Sequence, residues 1–135
     1  MATTGSCLCG AVRYEVKGAF KAMGHCHCSI CRKSHGAAFA TWAMVDPETF
    51  RWTAGVDSIA RYASSPTRER CFCKTCGSPL VASHSGNVME VVVATVDGDP
   101  GLRPHEHIFV GSKARWYEIT DALPQNDTWP PGMEP

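Results

Sequence analysis

The sequence predicts a mostly β domain of short antiparallel sheets with little helix. Several segments alternate apolar and polar residues with a period of two, turn-forming glycines and prolines separate them, and no long stretch has helical periodicity. The 135 residues are enough for one domain, and no linker or repeat divides them. We therefore expect a single domain over residues 1–135, with a core at about 3–120 and an irregular, proline-rich tail at 121–135.

Strands are predicted where alternation or β-branched residues are clearest. In segment 11–16, Val12, Tyr14 and Val16 share one face, which we expect to be buried. Further strands are predicted at 37–45, 58–63, 78–83 and 88–96, and a hairpin at 108–110 and 114–119. Helical turns are predicted only at 29–34 and 47–50. The aromatic residues expected in the core are Phe39, Trp42, Trp52 and Trp116.

Composition excludes several classes of protein. With 44% hydrophobic and 19% charged residues the chain is not disordered, and no apolar run approaches transmembrane length. A formal net charge of zero gives no sign of a nucleic-acid partner. Residues 1–10 lack the charged and apolar regions of a signal peptide, so we expect a cytoplasmic location. The oligomeric state is not predicted.

Seven of the eight cysteines fall into three clusters with metal-ligand spacing. These are Cys7 with Cys9, then Cys26, Cys28 and Cys31, then Cys73 with Cys76. An even number of cysteines would also permit disulfides. However, Cys-x-Cys and Cys-x-x-Cys pairs bridge poorly to themselves, and there is no export signal. The spacing therefore favours metal-bound thiolates in a reducing compartment.

Seven thiolates divide into one closed site of four and one site of three, which predicts two zinc ions per chain. On an extended segment Cys7 and Cys9 would project to the same side, because side chains alternate along a strand. Cys73-x-x-Cys76 followed by Gly77 is typical of a zinc knuckle. Two such halves could close one tetrahedral structural site. A zinc ion with three protein ligands keeps an open position, where zinc chemistry takes place.

The middle cluster has no fourth cysteine nearby, and His25 or His27 could complete it. Because His27 lies between two ligands on an extended segment, we expect its side chain to point away from the metal. The fourth position would then be open to water or to a substrate sulfur. Arg32 and Lys33 follow directly. They are either a solvated surface pair or cations that compensate the negative charge of thiolates and an anionic substrate.

Three motifs closely resemble those of the glutathione-dependent formaldehyde-activating enzyme family, to which centromere protein V also belongs. They are Ser-Cys-Leu-Cys-Gly-Ala-Val at 6–12, Cys-His-Cys-Ser-x-Cys-Arg-Lys at 26–33 and Phe-Cys-x-x-Cys-Gly-Ser at 72–78. The likeness continues at 107–110, 116–117 and 123–124, and His107 matches a family position. Cys71 is a departure, and it is either a small buried apolar residue or a replacement ligand.

The resemblance implies a fold of sheets meeting around zinc, called a β-tent. It implies a structural zinc bound by Cys7, Cys9, Cys73 and Cys76, and a catalytic zinc bound by Cys26, Cys28 and Cys31. It also implies a carbon–sulfur lyase-type enzyme that acts on glutathione or another small thiol, such as one that forms or cleaves S-(hydroxymethyl)glutathione. Two alternatives remain open, a non-catalytic zinc module that binds a protein partner and a redox-labile zinc buffer.

Overall fold

A computed structural model describes residues 2–134; Met1 and Pro135, which the predicted domain and tail limits include, lie outside the described residues. These residues form strands with one short α-helix and four 3₁₀ turns. The strands are β1 (Ala2–Ser6), β2 (Arg13–Lys17), β3 (Ala22–Cys26), β4 (Ala40–Met44), β5 (Phe50–Ala54), β6 (Ile59–Ala63), β7 (Arg68–Cys73), β8 (Pro79–His84), β9 (Asn87–Val92) and β10 (His107–Ile108). The helix α1 is Ser29–His35, and the 3₁₀ turns are Pro47–Thr49, Val56–Ser58, Val93–Thr95 and Val110–Ser112.

The strands form two sheets. One has three strands in the order β1-β2-β5, and the other has seven in the order β10-β3-β4-β9-β8-β7-β6. Strand pairs are antiparallel, except that β10 runs parallel to β3. The predicted mostly β fold with little helix is confirmed, with this one parallel pair added. No helix among residues 2–134 is long and apolar enough to span a membrane.

The larger apolar cluster contains the buried face of β2 together with Val12, which directly precedes the strand. Val12, Tyr14 and Val16 are 0%, 1% and 0% exposed, as their alternation predicted. Tyr14 stacks on Phe50 of the neighbouring strand with ring centres 5.3 Å apart. The cluster also includes Cys7, from beside the smaller sheet, and residues of β4, β7, β8 and β9 from the larger one. Burial of these side chains therefore holds the two sheets together.

Helix α1 confirms the helical turn predicted at 29–34. Cys28 is its N-cap, and the Cys28 Sγ accepts a hydrogen bond from the backbone N–H of Cys31 at 3.3 Å. The helix ends at His35, and its C-cap Gly36 has a φ of 61°, which is costly for residues with a Cβ. A second apolar cluster beside α1 contains Cys26, Cys31, Ala40, Trp42, Ala82 and Val92.

The predicted hairpin at 108–110 and 114–119 is wrong. Strand β10 ends at Ile108, Phe109 has a positive φ of 57°, and residues 114–119 are not a strand. The backbone N–H groups of residues 109–111 instead donate to carbonyl groups of residues 126–128, so the tail takes the place of a hairpin partner. The prediction that Trp116 is a core residue is also wrong, because its side chain is 74% exposed.

Other strand predictions differ in extent. The strand predicted at 58–63 is β6, which begins one residue later, the one at 78–83 is β8, shifted by one residue, and the one at 37–45 is shorter. The segment 88–96 is divided between β9 and a 3₁₀ turn. Strands β1, β3, β5 and β7 were not predicted. β1 is mostly polar, a glycine interrupts β3 and charged residues open β7, whereas the short alternation in β5 was missed. Trp42 is buried as predicted, and Phe39 and Trp52 are half-buried.

Candidate metal centres

Four cysteines from opposite parts of the chain converge at one point. The sulfur atoms of Cys7, Cys9, Cys73 and Cys76 all lie within 4.8 Å of one another. The Cys7–Cys9 distance between sulfurs is 3.6 Å, and the Cys9–Cys73 distance is 3.8 Å. Zinc–sulfur bonds of about 2.3 Å in a tetrahedron place sulfurs about 3.8 Å apart, so these spacings fit one zinc ion.

Two turns supply these four sulfurs. Cys7 and Cys9 lie in the turn between β1 and β2 rather than on the extended segment that the sequence predicted, although both sulfurs still reach one point. The Cys7 Sγ accepts the backbone N–H of Val12 at 3.3 Å. In the second turn the backbone N–H of Cys76 lies 3.5 Å from the Cys73 Sγ, and Gly77 has a φ of 80°. Burial opposes ionisation of Cys7, but the Val12 N–H stabilises its thiolate form, and the pKa of this thiol lies below its usual value.

The other three cysteines of the predicted set also converge. The sulfurs of Cys26, Cys28 and Cys31 lie within 4.8 Å of one another, at the end of β3 and the start of α1. Cys26 and Cys31 are buried, and Cys28 is half-buried. No fourth histidine, cysteine or carboxylate ligand atom joins this group among residues 2–134. The cluster is thus a candidate centre with three protein ligands.

The three sulfurs strongly affect one another's ionisation. Hydrogen bonds with Cys26 and then with Cys31 hold the pKa of the Cys28 thiol far below its usual range. The hydrogen bond with Cys28, and to a smaller extent the one with Cys31, raises the pKa of the Cys26 thiol. The proton therefore remains on Cys26 beside the Cys28 thiolate, and a bound metal ion would displace it. An all-sulfur donor set suits zinc, so the residues present fit the metal that the sequence predicted.

The cation that contacts this cluster is Arg70 of β7. Its Nη2 donates to the Cys31 Sγ at 3.6 Å, and its Nη1 donates to the Ser34 Oγ at 3.1 Å. Sequence reasoning missed Arg70 and selected Arg32 and Lys33 instead. The Arg32 Nε donates to the backbone carbonyl of Ser112 at 3.2 Å, and Lys33 is exposed. A substrate contact of Arg32 or Lys33 stays a prediction.

His27 lies outside the cysteine cluster, as predicted. It is fully buried, and its Nε2 lies 2.8 Å from the Nδ1 of His107, which is 1% exposed. The Nε2–H of His107 donates to the Asp121 carboxylate at 3.0 Å. With Asp121 accepting at Nε2, the His107 Nδ1 is the acceptor and the Nε2–H of His27 is the donor. His107 lies in β10, and through Asp121 and His27 it ties the tail to the segment that carries Cys26 and Cys28.

A pocket lies beside the three-cysteine cluster. It has a volume of about 350 Å³ and is lined by Ser34, His35, Trp42, Tyr62, Arg70 and Phe72 among others. Arg70 links it to the centre, because the same guanidinium lines the pocket and contacts Cys31. Cys71 does not join either set of sulfurs. It is buried in the apolar cluster between the sheets, where the Arg61 Nη1 donates to its sulfur at 3.2 Å.

Comparison with known proteins relates most of the chain to one family. The family model described as "Glutathione-dependent formaldehyde-activating enzyme" matches residues 2–112. A Halomonas elongata protein named "Putative glutathione-dependent formaldehyde-activating enzyme" is 30% identical over 129 residues, covering 88% of this chain and 82% of that protein. An uncharacterized lyase of Schizosaccharomyces pombe is 28% identical over 81 residues, which cover 60% of this chain and 57% of the lyase. A crystal structure of a Rhodobacter sphaeroides protein has a TM-score of 0.56 and 31% identity, covering 75% of this chain and 97% of the other.

Proposed function

The chain belongs to the glutathione-dependent formaldehyde-activating enzyme family, and from this membership we propose that it is a zinc-dependent carbon–sulfur lyase-type enzyme. Its substrate would be an adduct of glutathione or of another small thiol. Formation or cleavage of S-(hydroxymethyl)glutathione is one example of such a reaction. The observation that carries the proposal is the convergence of Cys26, Cys28 and Cys31 beside a pocket, with no fourth protein ligand among residues 2–134.

The proposal gives the two sets of cysteines different roles. Cys26, Cys28 and Cys31 would hold the reactive zinc ion, and Cys7, Cys9, Cys73 and Cys76 would hold a structural one. Zinc bound at the three-cysteine centre would keep a substrate thiol deprotonated near neutral pH. When the adduct forms, the thiolate sulfur bonds to the carbon of formaldehyde. The carbon–oxygen π electrons move to oxygen, which takes the proton that the thiol lost.

The residues around the centre can support this chemistry through charge. Three cysteine thiolates and a substrate thiolate outnumber the two positive charges of zinc by two. The Arg70 guanidinium, in contact with the Cys31 sulfur, compensates part of this excess. The short helix α1 fixes Cys31 against Cys28 through the N-cap hydrogen bond, so that the ligands are arranged before a substrate binds.

Exchange spectroscopy tests the proposed reaction. We expect zinc-loaded protein to accelerate exchange of ¹³C-labelled formaldehyde between its free and glutathione-bound pools. Cys28→Ser should abolish this acceleration. Arg51→Gln, which changes a residue of the three-stranded sheet outside both clusters and the pocket, should retain it. Exchange at the uncatalysed rate with glutathione and with a panel of other small thiols would overturn the proposal. That result, with zinc still bound, would favour the non-catalytic zinc module or the zinc buffer.

A further inference from the structure

The pocket beside the three-cysteine centre combines apolar and aromatic walls with a single cation. Trp42, Tyr62 and Phe72 contribute aromatic side chains from β4, β6 and β7, and Ser34 and His35 come from α1. Arg70 is the one lysine or arginine among the lining residues, and no aspartate or glutamate lies among them. A volume of about 350 Å³ is at the small end of the range for ligand pockets. These walls favour a small ligand with an apolar body and a negative group.

The charge of Arg70 lacks a carboxylate partner in the part of the chain that the structure describes. Its donors bind the hydroxyls of Ser34 and Ser64 and the sulfur of Cys31. Arg68, two residues earlier on the same face of β7, provides the contrast. It makes a two-bond pair with Glu90 at 2.9 and 3.0 Å, so its charge is neutralised by the protein. Arg70 keeps its capacity to pair with a carboxylate.

Trp42 gives a second observation at the same pocket. It is only 8% exposed and lines the pocket. The Arg70 guanidinium carbon lies 5.7 Å from the centre of the Trp42 ring, so the cation and this aromatic ring belong to one wall.

We propose that this pocket binds the carboxylate of the thiol substrate through Arg70, with the apolar body of the substrate against Trp42 and Phe72. The identification of the ligand as the substrate rests on the proposed function, whereas carboxylate binding does not. Glutathione has two carboxylates and an ammonium group, and the pocket offers one cation and no acidic side chain. The favoured substrate class is therefore a small apolar or aromatic thiol with one carboxylate, rather than a peptide.

Calorimetry with ligands that lack sulfur separates the pocket from the metal chemistry. The probes are 4-methylbenzoate and its neutral analogue 4-methylbenzamide, added to zinc-loaded protein. We expect the wild type to bind the carboxylate at least about 10-fold more tightly than the amide, because the Arg70 pair is charge-assisted. Arg70→Gln should remove this preference. The matched control is Arg51→Gln on the three-stranded sheet, which should keep it.

Each outcome tests either carboxylate binding in the pocket or the proposed reaction. Equal affinity of the wild type for the two probes would overturn the proposal, even if Arg70→Gln failed to fold. A carboxylate preference that persists in folded Arg70→Gln would also overturn it. If the preference depends on Arg70 but 4-(mercaptomethyl)benzoate and glutathione show no accelerated exchange with formaldehyde, the pocket stands and the proposed function fails. If 4-(mercaptomethyl)benzoate exchanges no faster than uncharged benzyl mercaptan, the carboxylate does not direct catalysis and the substrate assignment fails.

Discussion

Replacing Cys73 by serine should unfold the protein, whereas replacing Cys28 should not. Cys73 is 0% exposed, at the end of β7 in the seven-stranded sheet. Its sulfur lies 3.8 Å from that of Cys9, 64 positions away in the turn after β1. The four-cysteine centre therefore joins the two sheets. Cys26, Cys28 and Cys31 instead come from one short segment of the chain.

The expected difference in stability between Cys73→Ser and Cys28→Ser follows from the positions of the two centres in the chain. Structural zinc sites supply about 10–16 kcal/mol of binding free energy, which is comparable to the whole stability of a domain, about 5–15 kcal/mol. Cys73→Ser loses most of this free energy and leaves a buried hydroxyl that costs a further 1–3 kcal/mol or so. The ligands of the three-cysteine centre are close together in the unfolded chain as well. Zinc can bind them there, so this centre contributes less to folding.

Circular dichroism and urea denaturation of zinc-loaded variants provide the assay. We expect Cys73→Ser to show no cooperative unfolding transition. Cys28→Ser should unfold cooperatively, with one zinc ion instead of two. The matched control is Cys71→Ser, a buried cysteine on the same strand as Cys73 but outside both clusters, and it should lower the unfolding free energy by only about 1–2 kcal/mol. A folded Cys73→Ser together with an unfolded Cys28→Ser would refute the assignment of roles.

Three further measurements test other parts of the structure. Native mass spectrometry of zinc-replete protein should show two zinc ions per chain with all cysteines reduced, and a single ion would count against the three-cysteine centre. His107→Leu should lower the unfolding free energy in urea by about 1–3 kcal/mol, because it leaves the buried His27 Nε2–H without an acceptor, and an unchanged value would contradict this hydrogen bond. Burial raises the pKa of Tyr14 to about 12, so the folded protein holds this proton more tightly than the unfolded chain does. The stability that this adds is complete below about pH 10 and is lost as the pH rises through about 12. Wild type should therefore lose more stability between these pH values than Tyr14→Phe does, and parallel losses would show that Tyr14 is not responsible.

The cysteine clusters could be predicted from sequence because metal ligands within one turn have characteristic local spacing. The role of Arg70 could not be predicted in this way. It lies 39 positions from Cys31, and only the pairing of strands brings the two residues into contact. The choice of Arg32 and Lys33 followed from their closeness in sequence, yet Arg32 binds the Ser112 carbonyl instead. The hairpin error has a similar cause, since the tail that pairs with residues 107–111 has no strand pattern of its own.

Strand β7 shows how one short segment serves both candidate centres. Side chains alternate along a strand, so Arg70 and Phe72 project to one face and Cys71 and Cys73 to the other. Arg70 therefore reaches Cys31 and the pocket, while Cys73 reaches Cys9 near the smaller sheet. A shift of one residue in the pairing of β7 would exchange these faces and place an arginine in the buried cluster between the sheets. The cost of burying that charge selects the observed pairing, and the same pairing places a cation beside one centre and a ligand in the other.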